Sequence, residues 1–256
     1  MEQQEKTTMG TESAKPSSLG TRIMNVFSSP GELFIEVAGT PVQKSSWVVP
    51  YVLSLLLVLI FTYALFSNVS LRQQIYDMQI QGMQKAVEEG KMTQAQLDRV
   101  REGMESSGLG MFMLFGGVSQ IVIGSAMFFG MALVLWLTTK FGLKATAGYR
   151  KLLEVTGLVS FIGLIGAVIT LILMYAFDSL RATPSAALAI LSSYDHENKL
   201  HHFLSSLNVF ILWETSVVGI GLSKVSSKST GVGLGVAFGL WALWTIVTIA
   251  TGWGRM

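Results

Sequence analysis

The chain contains no cysteine, only 5 prolines in 256 residues, and just 13% charged side chains with a net charge of +2. Without thiols there is no disulfide, no thiolate nucleophile, no cysteine-based zinc site and no S-palmitoylation. The near balance of basic and acidic groups provides no field to attract a polyanion, so nucleic acid is not an expected partner. Charge this sparse also leaves little with which to solvate a large water-facing domain. Catalytic signatures are missing too: there is no His-Glu-x-x-His helix, no Gly-x-Ser-x-Gly elbow and no Walker-type loop. The run Gly231-Val232-Gly233-Leu234-Gly235 is rich in glycine, but it follows no strand and lacks the lysine a phosphate loop needs. Neither an enzyme nor a cofactor is expected.

What is present is apolar surface. Half of the residues are hydrophobic, and they fall into five long stretches at about 47–67, 109–139, 152–177, 203–222 and 231–252. A hydrocarbon core of about 30 Å needs roughly twenty apolar residues in a helix, which alone satisfies its own backbone along such a path. The expected fold is all-α: a polytopic membrane protein with a bundle of five transmembrane helices, an N-terminal amphipathic segment and a helical extramembrane first loop. Residues 47–256 form the membrane domain. The first apolar run begins only at Trp47, so no cleavable signal peptide is expected and the first span is its own insertion signal.

Residues 1–20 are polar and read as a disordered tail. Residues 21–46 alternate Ile23, Val26, Phe27, Leu33, Phe34 and Val37 with Arg22, Glu32 and Glu36, the pattern of short amphipathic pieces. Such pieces either lie in the membrane interface or cap the bundle. The loop at 68–108 favours helix, with Gly90 as a stop and Thr93 and Gln96 as a capping box, which makes a helical hairpin. The second span is long enough to tilt, protrude or break near Gly116 and Gly117. Thr183, Pro184 and the apolar run 186–191 form a short capped helix on the membrane surface. Lys140, Lys144, Arg150, Lys151, Lys224 and Lys228 cluster in two short connectors. The positive-inside bias then puts the N-terminus in the cytoplasm, and the 68–108 loop and Arg255 on the far side.

Carboxylates inside the spans are the candidate chemistry, because an ionised one costs at least about 2.5 kcal/mol there. Glu154 starts the third span and pairs with Arg150 one helical turn away. Glu214 lies about 16 Å into the fourth span by helical rise, among Ile211, Leu212, Val217 and Val218. It defines a candidate intramembrane polar site with Asn208 and Gln120, with Thr170 or Thr245 as further partners. His196, His201 and His202 with Asp195 and Glu197 form a polar flank; no metal site is expected. Gly231, Gly235 and Gly239 repeat every four residues as a helix-packing face, and Gly110, Gly117 and Gly124 recur every seven.

The segment FSSPGELFIEVAGTP with its following SWVVP, the YRKLLEV start of the third span, and LNVFILWETSVVGIGLSKVS across the fourth together resemble the Yip-type family, named for Ypt/Rab-interacting proteins. The resemblance runs from Phe27 to the C-terminus and rests on Pro30, Gly31, Phe34, Phe210, Trp213 and Gly221, with Ser29, Glu32 and Asn208 beside them. The charged first loop with EEGKMTQAQLDRV resembles the family's bacterial branch, so the Rab partnership of eukaryotic members does not carry over. The resemblance implies a non-enzymatic protein of the bacterial inner membrane that interacts with the bilayer and with other membrane proteins, or with itself as a homo-oligomer, as a protein-interaction or membrane-organisation factor. The competing expectation is a small transporter or channel with Glu214 in its path.

Overall fold

The computed structural model describes residues 15–106, 109–195 and 197–252. In chain order the helices are α1 (Leu19–Ser28), α2 (Pro30–Gly39), α3 (Ser45–Ser67), α4 (Val69–Glu88), α5 (Gln94–Ser106), α6 (Leu109–Leu137), α7 (Tyr149–Ala176), α8 (Lys199–Ser206), α9 (Val209–Val225) and α10 (Thr230–Thr251). A π turn, Thr138–Gly142, extends α6, and a 3-10 helix, Ala186–Ser193, precedes α8. Among the described residues the only β feature is an isolated bridge between Ser185 and Asn208.

Among the described residues four helices are long and apolar enough to cross a membrane: α3, α6 with its π turn, α7 and α10. The second span is a single helix with no break at Gly116 or Gly117; a Cβ added at those glycines would lie 3.6 Å from Phe66 and 3.5 Å from Leu59 of α3. The apolar run at 203–222 is not one helix. Asn208 accepts hydrogen bonds from the N–H groups of Phe210 and Ile211. That cap starts α9 afresh and separates it from α8. At 17 residues α9 is about 25 Å long, short of a hydrocarbon core. The expected single span 203–222 is therefore divided, and the sequence pattern missed it because the residues on both sides of the cap are apolar.

The first loop is a helical hairpin of α4 and α5. Gly90 turns the chain at φ 69°, and Thr93 and Gln96 exchange the reciprocal bonds of a capping box. Order reaches into the expected 1–20 tail: Ser18 caps α1 through the Thr21 N–H, and Ser17 bonds Glu36. Residues 1–14 of that tail, with His196 and Arg255, lie outside the described residues.

At one end of the bundle α1 and α2 dock across α7 and α9. Val26, Leu33, Phe34 and Val37 are fully buried against Val155, Leu158, Val159, Ile162 and Val217. This is the capping arrangement, in which the apolar stripe faces protein. A second cluster joins Leu135, Leu152, Leu222 and Ala237, one from each of α6, α7, α9 and α10.

Helix crossings are set by glycines. Ser46 loses its helical partner because Pro50 has no N–H, and its carbonyl oxygen lies 2.5 Å from where a Gly157 Cβ would be. Between α9 and α10 the backbones meet at Gly219 and Gly233: a Cβ on Gly233 would strike the Gly219 carbonyl. Gly231, Gly235 and Gly239, expected to pack, have nothing within 4 Å of an added Cβ. Within the chain the contact register falls instead on Gly233, two residues out of phase with that stripe. Gly233→Ala should lower the unfolding midpoint by the equivalent of about 1–3 kcal/mol, the range for overpacking. Gly235→Ala should leave it unchanged or raise it, since alanine is the better helix former. Equal losses from both would show that the outward face of α10 is also packed.

Candidate functional site

Two sites emerge from the helix register, one charged and one in the middle of the bundle. The charged one begins with Arg22 on α1. It sits between Leu19 and Val26 on the helix's inward stripe and is 1% exposed. Its five N–H groups are all used: Nε and one Nη2 proton on Glu36, Nη1 on Glu154 at 2.5 Å and Ser46 at 3.0 Å, and Nη2 on Thr40 at 3.3 Å. Glu154, fully buried on α7, also accepts from the Gln43 backbone N–H and from Lys151. Lys151 in turn donates to the carbonyls of Val37 and Thr40, which the end of α2 leaves without helical partners. Two cations and two carboxylates are thus shared by three helices with every contact satisfied.

This corrects the expected pairing of Glu154 with Arg150. Arg150 is exposed, and the partner on the same helix is Lys151, three residues away. The partner distant in sequence, Arg22, is not legible from local pairing. The signal available was its place at i+3 and i−4 within an apolar helical stripe, where a solvated arginine does not belong.

Glu36 lies outside the spans and is partly exposed. Burial raises its pKa, but the Ser17 N–H and hydroxyl and the Arg22 guanidinium outweigh this and hold it below its ordinary 4.5. A lowered folded value stabilises the protein above the unfolded pKa, and that contribution is lost as pH falls through the folded value.

The second site lies between α3, α7 and α9. Glu214, Ser54 and Ser160 are the polar members of a cleft of about 220 Å³ whose walls include Leu57, Val58, Phe61, Leu164 and Ala167. One carboxylate oxygen of Glu214 lies 2.5 Å from where a Cβ on Gly163 would be, so only glycine admits it there. The expected partners lie elsewhere. Asn208 caps α9, Gln120 is exposed on α6, Thr170 bonds the Gly166 carbonyl, and Thr245 is buried in α10. Among the described residues no group of three or more His, Cys, Asp or Glu is placed to hold a metal.

The residues behind the resemblance are packing residues. Pro30 opens α2. Phe34 lies 3.4 Å from where a Cβ on Gly221 would be, and Phe210 fills the space above Gly166. Trp213 stacks on Phe210 and meets Phe27 edge-on. Gly31 has open space around it. A family model, the Yip1 domain, matches residues 24–252. The chain belongs to the Yip1 domain family. No curated protein and no solved structure matches it. In this Yip1 domain Phe34 and Phe27 join α2 and α1 to α9, while the charged cluster ties the same two helices to α7.

Arg22→Lys should lower stability by about 3–5 kcal/mol, the range for breaking a buried pair, because three donors cannot replace a five-point fork. The same unfolding assay, run as a pH series, should show a loss of stability below about pH 4.5 that Glu36→Gln reduces. An Arg22→Lys midpoint equal to that of the parent would show that apolar contacts alone dock α1 and α2.

Proposed function

We propose that this Yip1 domain is a non-enzymatic integral membrane protein that works by binding other membrane proteins and ordering the bilayer around them. The observation that carries this reading is the outward face of α6. The helix packs on α3 and α7, and it presents Leu114, Val118, Val122, Met127 and Met131 away from the bundle, all about half exposed or more. Among the described residues nothing lies within 4 Å of a Cβ added at Gly110, Gly124 or Gly130 on the same helix. Without a hydrophobic force between helices in lipid, such small residues let a partner helix approach closely. A helix at the edge of the bundle with such a face suits a membrane-embedded partner or a second copy.

The proposal includes five crossings. α9 runs antiparallel to α7, with Phe210 over Gly166, Glu214 over Gly163 and Gly221 beside Val155. It serves as the short fourth crossing, completed at its start by the 3-10 helix and α8. The N-terminus is assigned to the cytoplasm and the protein to a bacterial inner membrane, on the basic connectors and the charged first loop. Because cysteine is absent, single cysteines at the exposed Gln84 and Lys144 report sidedness cleanly. Position 84 should react with an impermeant thiol reagent in intact cells and position 144 should not; the reverse pattern inverts the topology.

The interaction reading is tested by cysteines placed on the outward face of α6, at Val118 and Val122. Oxidative crosslinking in native membranes should trap a discrete partner or dimer, whereas the same substitution at Val168 on α7 should not. The transporter reading retains one observation, the Glu214 cleft. Proton- or substrate-driven flux in liposomes that Glu214→Gln abolishes, with the protein still folded, would replace the interaction reading.

A further inference from the structure

The polar groups of the Glu214 cleft share an unusual restriction: apart from the single proton that a neutral Glu214 carboxyl carries, and gives up on pairing with a base, they offer only acceptors. Ser54 donates its hydroxyl proton to the Pro50 carbonyl at 2.8 Å, and Ser160 donates its own to the Gly157 carbonyl at 2.7 Å. Each hydroxyl therefore has only lone pairs left to offer the cleft. The third polar member is the Glu214 carboxylate, which receives no side-chain hydrogen bond among the described residues. Among the described residues no lysine, arginine, histidine, asparagine or glutamine lines the space. The remaining walls are aliphatic or aromatic, and the volume of about 220 Å³ is open along one side. That volume is roughly seven waters' worth, enough for a small head group and the first methylenes of a chain.

A ligand for such a site needs donors and no acceptor, positive charge to compensate the carboxylate, and an apolar body. Phosphate and carboxylate head groups fail, since they would face acceptors with no cation. Quaternary ammonium has the charge but no N–H. A primary ammonium has three donors for Glu214, Ser54 and Ser160. Pairing there leaves neither ion bare, the condition a buried ion pair must meet. We propose that the cleft is a binding site for a single-chain primary-amine amphiphile, its ammonium on Glu214 and the two serine hydroxyls and its chain along Leu57, Phe61 and Leu164. The site stands apart from the outward face of α6 and does not depend on the interaction reading.

The test uses the full chain in phosphatidylcholine vesicles and a membrane-soluble carbodiimide, which adds to a protonated carboxyl and leaves a stable acylurea detectable by peptide mass spectrometry. Glu214 should be labelled. Dodecylamine should lower the total modification of Glu214, acylurea plus the dodecylamide its amine would form with an activated carboxyl, by about tenfold at near-saturating occupancy, while dodecyltrimethylammonium and dodecyl phosphate should not. The quaternary compound controls for charge added to the bilayer, because it carries the same charge and tail without a donor. Ala167→Phe, which fills the cleft from α7, should abolish protection by dodecylamine while the unfolding midpoint stays within a fraction of that of the parent. Failure of Glu214 to label at all would show that the cleft is closed to the bilayer and would overturn the proposal. Equal protection by the primary and quaternary compounds, or protection that survives the filled cleft, would overturn it as well.

Discussion

The contact between Arg22 and Glu154 is the constraint on which one end of the helix bundle depends. A guanidinium 1% exposed and a carboxylate with no exposure are tolerable only together, and only with the further bonds from Glu36, Ser46, Thr40, Lys151 and the Gln43 backbone. Those bonds come from α1, α2, the connector after it, the start of α3 and α7, so satisfying the two charges fixes the positions of all of them. A shift of one residue in any of these elements would leave a charge bare in an apolar setting. Apolar packing of Val26, Leu33, Phe34 and Val37 supplies attraction, but attraction without direction. The ionic cluster supplies the register.

Farther along the bundle, the same problem of specificity is solved without charge. Where lipid is as apolar as leucine, helices are held by close fit, and close fit needs backbone contact. Gly157 admits the start of α3, Gly166 admits the Phe210 ring, Gly221 admits Val155 and Phe34, and Gly219 and Gly233 admit each other. α9 is the helix most surrounded by such contacts and also the shortest of the apolar ones. Its shortness follows from Asn208, whose cap bonds stop the helix from continuing back into α8. Between α8 and α7 the chain uses a 3-10 helix and the bridge from Ser185 to Asn208 to satisfy its backbone.

Gly163 connects packing to chemistry. The absence of a side chain there gives the Glu214 carboxyl its seat, and the cleft beside it exists because Ser54, Ala167 and Ser160 are small. Substituting larger apolar residues at these positions would close the space without altering the hydropathy of α3 or α7. The cleft is therefore a property of side-chain volume at a few positions, separable from the fold that surrounds it.

Local pattern was enough to establish that the chain is helical and apolar, that 68–108 is a hairpin stopped at Gly90 and capped at Thr93, and that it belongs with Yip-type domains. Each of these depends on neighbouring residues or on a linear motif, which sequence displays directly. Sequence also singled out Glu214, because a carboxyl in an apolar run is anomalous wherever its partners are. It did not reveal those surroundings. Gly163 and Ser54 are distant in the chain, and Asn208, a plausible partner by proximity, is consumed by its own helix cap. Nor could it place Arg22 against Glu154, 132 residues away, since helical periodicity says which face is buried and never what buries it. The stripe at Gly231, Gly235 and Gly239 looked like the packing face because its repeat is regular, yet α9 meets α10 at Gly233, where rotation about the helix axis was set by the partner. Periodicity is written along one chain segment; the phase between two segments is decided only when they touch.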